Sequence, residues 1–287
     1  LGGAARGLVA YLGAGVKAAR TVVEASLDDL RSDDVRFLQE AARDGELHLR
    51  LPSDELVRAT EGTAPRFPLV ERRFLAQSLR WVSSVEVVNE PISAALERLS
   101  GDAGTLAVRA EDDEPALRSA ATAAGLEIRA ITPDERAGFP PIEPAHELPP
   151  ATPTVVVTGC FDWVHSGHIR FFMDAAEHGA LYVVIGSDRN VRLLKGEGHP
   201  LQPEQERCYM VGSMRPVYRC LVSSGSGWMD AEPEIDRLKP TAYVVNEDGD
   251  KPEKREFCDR HGLRYIVLQR VPHEGLPARS STDLRGF

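Results

Sequence analysis

Residues 154–168 read TVVVTGCFDWVHSGH, and this stretch decides the fold. Val155, Val156 and Val157, flanked by Thr154 and Thr158, form a β-branched run with no polar alternation, the pattern of a strand buried on both faces. Gly159 ends it. From His168 to His178 the apolar residues Ile169, Phe172 and Ala176 recur at helical spacing. A strand that passes through a short turn into a helix is the βα unit of a doubly wound sheet. Two imidazoles, His165 and His168, fall at the start of that helix with Gly167 between them. Unpaired backbone N–H groups and the helix dipole attract anions there. Gly167 permits close approach of a phosphate to the backbone, and the histidines can donate hydrogen bonds to a phosphoryl group in its transition state.

Outward from this unit the pattern continues. Leu181–Ile185 reads as a second strand closed by Gly186, and Tyr243–Val245 and Tyr265–Leu268 as two more, each preceded by a helix-like segment. The expected class is α/β, with a Rossmann-like parallel sheet. The first half repeats the arrangement. Residues Asp28–Gly62 lie over Asp162–Gly196 without a gap, and thirteen of these 35 positions are identical, among them Phe37 with Phe171, Gly45 with Gly179 and Ser53-Asp54 with Ser187-Asp188. After one deletion the match runs on through Arg72 with Arg207 and Arg80 with Arg215. Between Thr132 and Pro153 stand seven prolines, a density that favours an extended spacer over helix or ladder. The expected division is two tandem domains, 1–131 and 154–287, joined by a Pro-rich linker over 132–153.

Composition limits the partners. A formal net charge of −10 argues against a nucleic-acid or membrane-surface binder. The four cysteines, Cys160, Cys208, Cys220 and Cys258, make no C-x-x-C pair and no zinc spacing, as expected of reduced thiols in a cytoplasmic protein. No apolar run reaches the ~18 residues of a membrane span, and the mildly apolar stretch 7–16 lacks a signal-peptide pattern.

The string Gly159-Cys160-Phe161-Asp162-Trp163-Val164-His165-Ser166-Gly167-His168 resembles the signature of the cytidylyltransferase-like nucleotidyltransferases, and the likeness extends over nearly all of 154–285. That family includes cytidylyltransferases for glycerol 3-phosphate, phosphocholine and phosphoethanolamine, and adenylyltransferases for heptose phosphates. Further segments fall in the family's order: Ser187-Asp188 then Lys195-Gly196, Glu206-Arg207, Arg215-Pro216-Val217, Asn246-Glu247-Asp248, and Ser280-Ser281-Thr282. The resemblance implies that His165 and His168 act on the α/β-phosphates of a nucleoside triphosphate and that Lys195 bridges it to the acceptor phosphate. Arg207 with Ser280, Ser281 and Thr282 is expected to hold the β/γ-phosphates. Gly159, Cys160, Phe161, Asp162, Gly167, Asn246 and Asp248 would complete the nucleotide site, Asp162 either orienting Mg²⁺ or fixing its loop. Trp228 and Arg279 are the candidates for acceptor binding. The family's R-T-x-G segment is missing before the hydroxyl run, and Arg270 or Arg279 is the available substitute.

The first copy has lost this chemistry. Arg31 and Asp34 stand opposite His165 and His168, Asp33 opposite Gly167, and Glu61 opposite Lys195. Only Arg72 survives, and it reads as a surface residue. Residues 1–131 are therefore expected to be a pseudo-domain. The expected reaction is transfer of a nucleoside monophosphate, in the first place CMP from CTP, to a phosphorylated or phosphonate small molecule with release of pyrophosphate, Mg²⁺ accompanying the triphosphate and no metal site being built from protein side chains. ATP with a heptose-phosphate-like acceptor is the alternative, and a nucleotide-binding scaffold without turnover a third. Homodimerisation is expected.

Overall fold

A computed structural model of the chain describes residues 20–99, 104–281 and 284. Thr282, expected in the phosphate cradle, and the stretch 7–16 lie outside the described residues. The first half carries β1 (Arg20–Glu24), α1 (Ser32–Ala41), β2 (Glu46–Pro52), α2 (Asp54–Glu61), α3 (Leu69–Ser78), β3 (Val82–Val88), α4 (Ile92–Leu99), β4 (Thr105–Arg109), α5 (Pro115–Ala123) and β5 (Glu127–Ile131). After a four-residue helix α6 (Pro133–Arg136), the second half carries β6 (Thr154–Gly159), α7 (Ser166–Ala176), β7 (Ala180–Ile185), α8 (Asp188–Lys195), α9 (Glu204–Gly212), β8 (Val217–Val222), α10 (Glu232–Leu238), β9 (Ala242–Asn246), α11 (Pro252–His261) and β10 (Arg264–Leu268).

Each half forms one five-stranded sheet in which every pairing is parallel. The orders are β3-β2-β1-β4-β5 and, read from the corresponding edge, β8-β7-β6-β9-β10. The two topologies are the same, and both are the doubly wound α/β arrangement expected. The valine run of β6 explains itself by packing. Val155 and Val157 point into one apolar cluster and Val156 into another on the opposite face, all three fully buried. A strand covered on both faces needs no polar alternation.

The halves do not sit apart as beads on a spacer. A central apolar cluster is common to both, with Leu75, Ala76 and Leu79 of the first half beside Phe171, Phe172, Met210 and Met214 of the second. Helix α3 packs on α7, and α1 reciprocally on α9. Leu79 and Met214 form an antiparallel bridge. Arg80 N–H donates to the Ser213 carbonyl at 3.0 Å and Arg215 N–H to the Ser78 carbonyl at 2.7 Å. The Arg80 guanidinium reaches the Val217 carbonyl, and that of Arg215 the Val82 carbonyl. Each contact has its counterpart with the halves exchanged, so a pseudo-two-fold axis runs through the interface.

Two expectations need correction. The proline-rich segment is not helix-free: Thr132 caps α6 in a capping box with Glu135, and Pro133 occupies the first turn, where its missing N–H costs nothing. The segment is also packed. Arg36 donates to the Glu135 and Arg136 carbonyls, and Phe139 and Ile142 lie against the central core. Arg72 is not a surface residue but is fully buried, for a reason that also governs Arg207.

Candidate active site

The cleft forms where the topology requires it, at the carboxyl ends of β6 and β9, the point at which the strand order diverges. It is a cavity of about 550 Å³. Helix α7 begins at its floor. His165 is the N-cap, extended at φ −140°, and its Nδ1 accepts the Gly167 N–H at 3.1 Å. In the neutral ring the proton therefore resides on Nε2, which is buried and has no partner. The His168 ring stacks on that of His165, centroids 3.9 Å apart. His168 is hydrogen-bonded to the backbone of Trp163, and its Nδ1 is likewise buried and unpartnered.

Burial is the main force on both rings. It holds the His165 imidazolium down, to about 4, with the charges of Arg270 and Arg279 adding to the effect. His168 is pushed further below its ordinary range, first by burial and then by His165, Arg270 and Lys195, the Trp163 bond opposing. Both are neutral at pH 7. A neutral His165 still presents Nε2–H as a donor, so the site can meet an anion without first taking up a proton. Gly167 is closely packed by the protein itself. A Cβ there would lie 3.0 Å from His165 Cε1 and 3.5 Å from the Arg279 carbonyl.

The cavity wall includes Gly159, Cys160, Phe161, Asp162, Gly167, Lys195, Asn246, Asp248 and Ser281 along with the two histidines. Asp162 has a structural task within it. Its carboxylate accepts the Leu201 and Gln202 N–H groups at 2.9 Å, fixing the loop before α9. Lys195, in the last turn of α8, is exposed at the mouth. Sequence reasoning missed Lys254, Thr158 and His199, and weighed Arg270 only as a substitute, although all four line the cavity. The signal was topological: Lys254 and Arg270 follow the carboxyl ends of β9 and β10, on the side where such folds bind ligands.

Four expected residues stand elsewhere. Arg207 cannot reach a triphosphate: it is fully buried, and its guanidinium donates to the carbonyls of Gln202, Cys160 and Gly186 and to the Asp188 carboxylate, at 2.7–3.0 Å. Arg72 makes the same four bonds in the first half, to the Phe67, Ser26 and Pro52 carbonyls and to Asp54. The arginine of this motif is a clamp on strand-end loops, and that is why both halves keep it. Trp228 is exposed and does not line the cavity; the neighbouring Gly227 is tied to Asn190 instead. Ser280 also falls outside the lining. Arg279 lines a smaller adjoining cavity of about 80 Å³, and its guanidinium is held by Glu71 of the first half.

The corresponding cleft of the first half, about 300 Å³, is lined by Asp34 and Arg109. Arg109 turns into it and pairs with Asp33 and Asp34, over the ring of Phe37. An internal cation sits where a phosphate would need an unoccupied one.

The family model described as Cytidylyltransferase-like matches residues 156–286. A "FAD synthase" of Methanopyrus kandleri is 31% identical over 136 residues, which cover 45% of this chain and 87% of that protein. The chain belongs to the cytidylyltransferase-like family of nucleotidyltransferases. Another "FAD synthase", of Methanospirillum hungatei, is 29% identical over 133 residues, 45% of this chain and 81% of that one. A "Bifunctional protein HldE" of Azorhizobium caulinodans is 45% identical over 64 residues, 22% of this chain and 13% of that protein. The cleft described above lies within the matched region. Among the described residues no helix is long and apolar enough to cross a membrane, and no group of three or more His, Cys, Asp or Glu could cage a metal ion.

Proposed function

We propose that the second half transfers the adenylyl group of ATP to a phosphorylated small molecule and releases pyrophosphate. The observation that carries this reading is the pair of buried ring nitrogens, His165 Nε2 and His168 Nδ1, left without partners in a cavity that Lys195, Lys254 and Arg270 also line. A buried polar atom without a partner is costly, and such atoms in a cleft mark where a ligand completes the bonding. An oxygen of the acceptor phosphate attacks the α-phosphorus, the bond from that phosphorus to the bridging β-oxygen breaks, and pyrophosphate departs. A phosphate monoester is largely dianionic at pH 7, so the attack needs no general base. The protein's part is positioning and charge stabilisation. His165 donates Nε2–H to the reacting phosphate, and the three cations offset the repulsion between acceptor and triphosphate. Mg²⁺ would come with the triphosphate and neutralise it, carried mainly on nucleotide oxygens and water, and Asp162 and Asp248 are the carboxylates on the cavity wall.

The composition of the relatives moves the nucleotide from CTP, the first expectation, to ATP. The product named in "FAD synthase" is an adenylyl group joined to a phosphorylated acceptor by a phosphoanhydride bond. CTP with a phosphomonoester or phosphonate stays as the second reading, favoured by the family description. The first half is, in this reading, a diverged tandem copy without nucleotide chemistry, and its pseudo-two-fold contacts with the second half stand in place of the homodimer expected from the sequence. The test is pyrophosphate release with ATP or CTP against a panel of FMN, sugar phosphates, phosphoethanolamine, phosphocholine and glycerol 3-phosphate. Turnover with ATP and one acceptor is expected. Turnover with CTP alone overturns the nucleotide assignment, and tight nucleotide binding with no turnover anywhere on a wider panel overturns the enzyme.

A further inference from the structure

The cleft of the second half is bounded by two segments that must keep a fixed spacing. One is the start of α7, which carries His165, Ser166, Gly167 and His168; the other is the stretch from Arg270 to Ser281. Within the second half the Ser281 hydroxyl donates to the Trp163 carbonyl at 3.5 Å, and a side chain of the first half adds shorter bonds to both segments. Glu71, on α3, is buried, with 1% of its side chain exposed. Its Oε1 accepts the Ser166 hydroxyl at 2.7 Å. Both its oxygens receive the Arg279 guanidinium, Nε at 3.1–3.2 Å and Nη2 at 2.7 Å. Arg279 in turn passes the constraint inward. Its carbonyl accepts Arg270 Nη2 at 2.9 Å, and Arg270 Nη1 pairs with Asp248 at 2.7 Å. Arg270 and Asp248 both line the cavity.

Neighbouring residues of the first half brace the same segment. Phe74 stacks on His273 with centroids 4.4 Å apart, the Arg279 guanidinium lies 5.4 Å from the Phe67 ring, and Arg66 donates to the Leu284 carbonyl. The exchanged contact, Glu206 accepting the Ser32 hydroxyl at 2.6 Å, serves the first half's altered cleft. The pseudo-two-fold interface has thus kept a carboxylate on each side, but only Glu71 faces working machinery.

We infer that Glu71 is a positioning residue for the nucleotide site: the first half acts as a built-in partner whose buried carboxylate sets the spacing between the histidine-bearing helix start and the Arg270–Ser281 segment. This rests on the cleft being a nucleotide site. A carboxylate shared by a hydroxyl and a bidentate guanidinium fixes direction as well as distance, and displacement of a positioning group by an ångström is enough to cost a large factor in rate or affinity.

The test is isothermal titration of the full chain with MgATP and MgCTP, together with steady-state kinetics on whichever acceptor the pyrophosphate-release panel identifies. Glu71→Gln keeps the shape and an oxygen for Ser166 but removes the charge from Arg279. It should raise the dissociation constant and KM for the nucleotide roughly tenfold or more, with kcat for saturated enzyme changed less, while Glu71→Asp restores part of the loss. Ser166→Ala breaks one arm only and should act in the same direction more weakly; it also serves if Glu71→Gln fails to fold. If wild type binds neither nucleotide, the reading of the cleft fails. If wild type binds and both Glu71→Gln and Ser166→Ala bind and turn over as wild type does, whatever their thermal midpoints, Glu71 is an interface residue alone and the positioning role is overturned.

Discussion

His165 combines a capping bond, burial and an unpartnered nitrogen in one ring. In the folded chain it stays neutral down to about pH 4, whereas its ordinary value is 6.5. Between those values the unfolded chain binds more protons than the folded one, so stability falls as the pH drops from 6.5 toward 4 and is untouched above 6.5. The loss is about 3 kcal/mol for this one group. His165→Gln should therefore flatten the acid side of a stability curve measured by urea unfolding at pH 7, 5.5 and 4.5. Parallel curves for variant and wild type would show that the ring is not held neutral by the fold. His168→Ala removes the ring stacked on the donor His165 and is expected to lower kcat by up to roughly 10²–10³-fold, the loss seen when such a donor is removed, with the far-ultraviolet circular dichroism unchanged; a fully active variant excludes the ring from the chemistry.

At the level of elements, α8 and α9 divide two roles that lie close together in sequence. Lys195 ends α8 at the cavity mouth and is exposed. Lys195→Glu reproduces the charge present at Glu61 in the first half, so activity should disappear while the midpoint of thermal unfolding moves by little, an exposed charge change costing within about ±0.5 kcal/mol. Near-normal turnover would make Lys195 an ordinary solvated cation at a helix end. Arg207 behaves in the opposite way. Its three carbonyl bonds and one carboxylate bond join the ends of β6 and β7 to the loop before α9. Arg207→Met leaves these acceptors buried and unpaired, at about 3–5 kcal/mol, and a midpoint lower by roughly 10 °C is expected. Arg72→Met, far from the catalytic cleft, should cost about the same. If only the Arg207 variant were destabilised, or if it lost nucleotide affinity with no loss of stability, the clamp would not be its role.

For the whole molecule, the reciprocal contacts of α3 with α7 and α1 with α9 occupy, within one chain, the surfaces that two identical copies would use across a two-fold axis. The 31.4 kDa chain is therefore expected to run as a monomer in light scattering coupled to gel filtration; a dimer would mean that a further surface, outside this interface, is used. The Arg109 pair with Asp33 and Asp34 predicts in addition that only one nucleotide binds per chain, and a titration stoichiometry of two would overturn the view that the first cleft is closed to triphosphates.

Local sequence was enough for the strands and for the helix start that floors the cavity. A strand buried on both faces must be apolar along its length, and a helix N-terminus that holds phosphate must combine glycine with donors, so the Val155–Val157 run and the His165–His168 string could be read without coordinates. The same local view could not distinguish Arg207 facing a phosphate from Arg207 facing three carbonyls, because the motif is identical in both cases and the acceptors come from segments up to 47 residues away. Nor could it place Trp228 outside the cavity, or bring in Lys254 and Arg270, which reach it only because β9 and β10 lie on one side of β6 in the sheet. Glu71 was beyond reach for the strongest reason. It stands 208 residues from Arg279, in the half that lacks the His-x-Gly-His string, and a buried carboxylate acquires its meaning only from the hydroxyl and the guanidinium that folding brings against it.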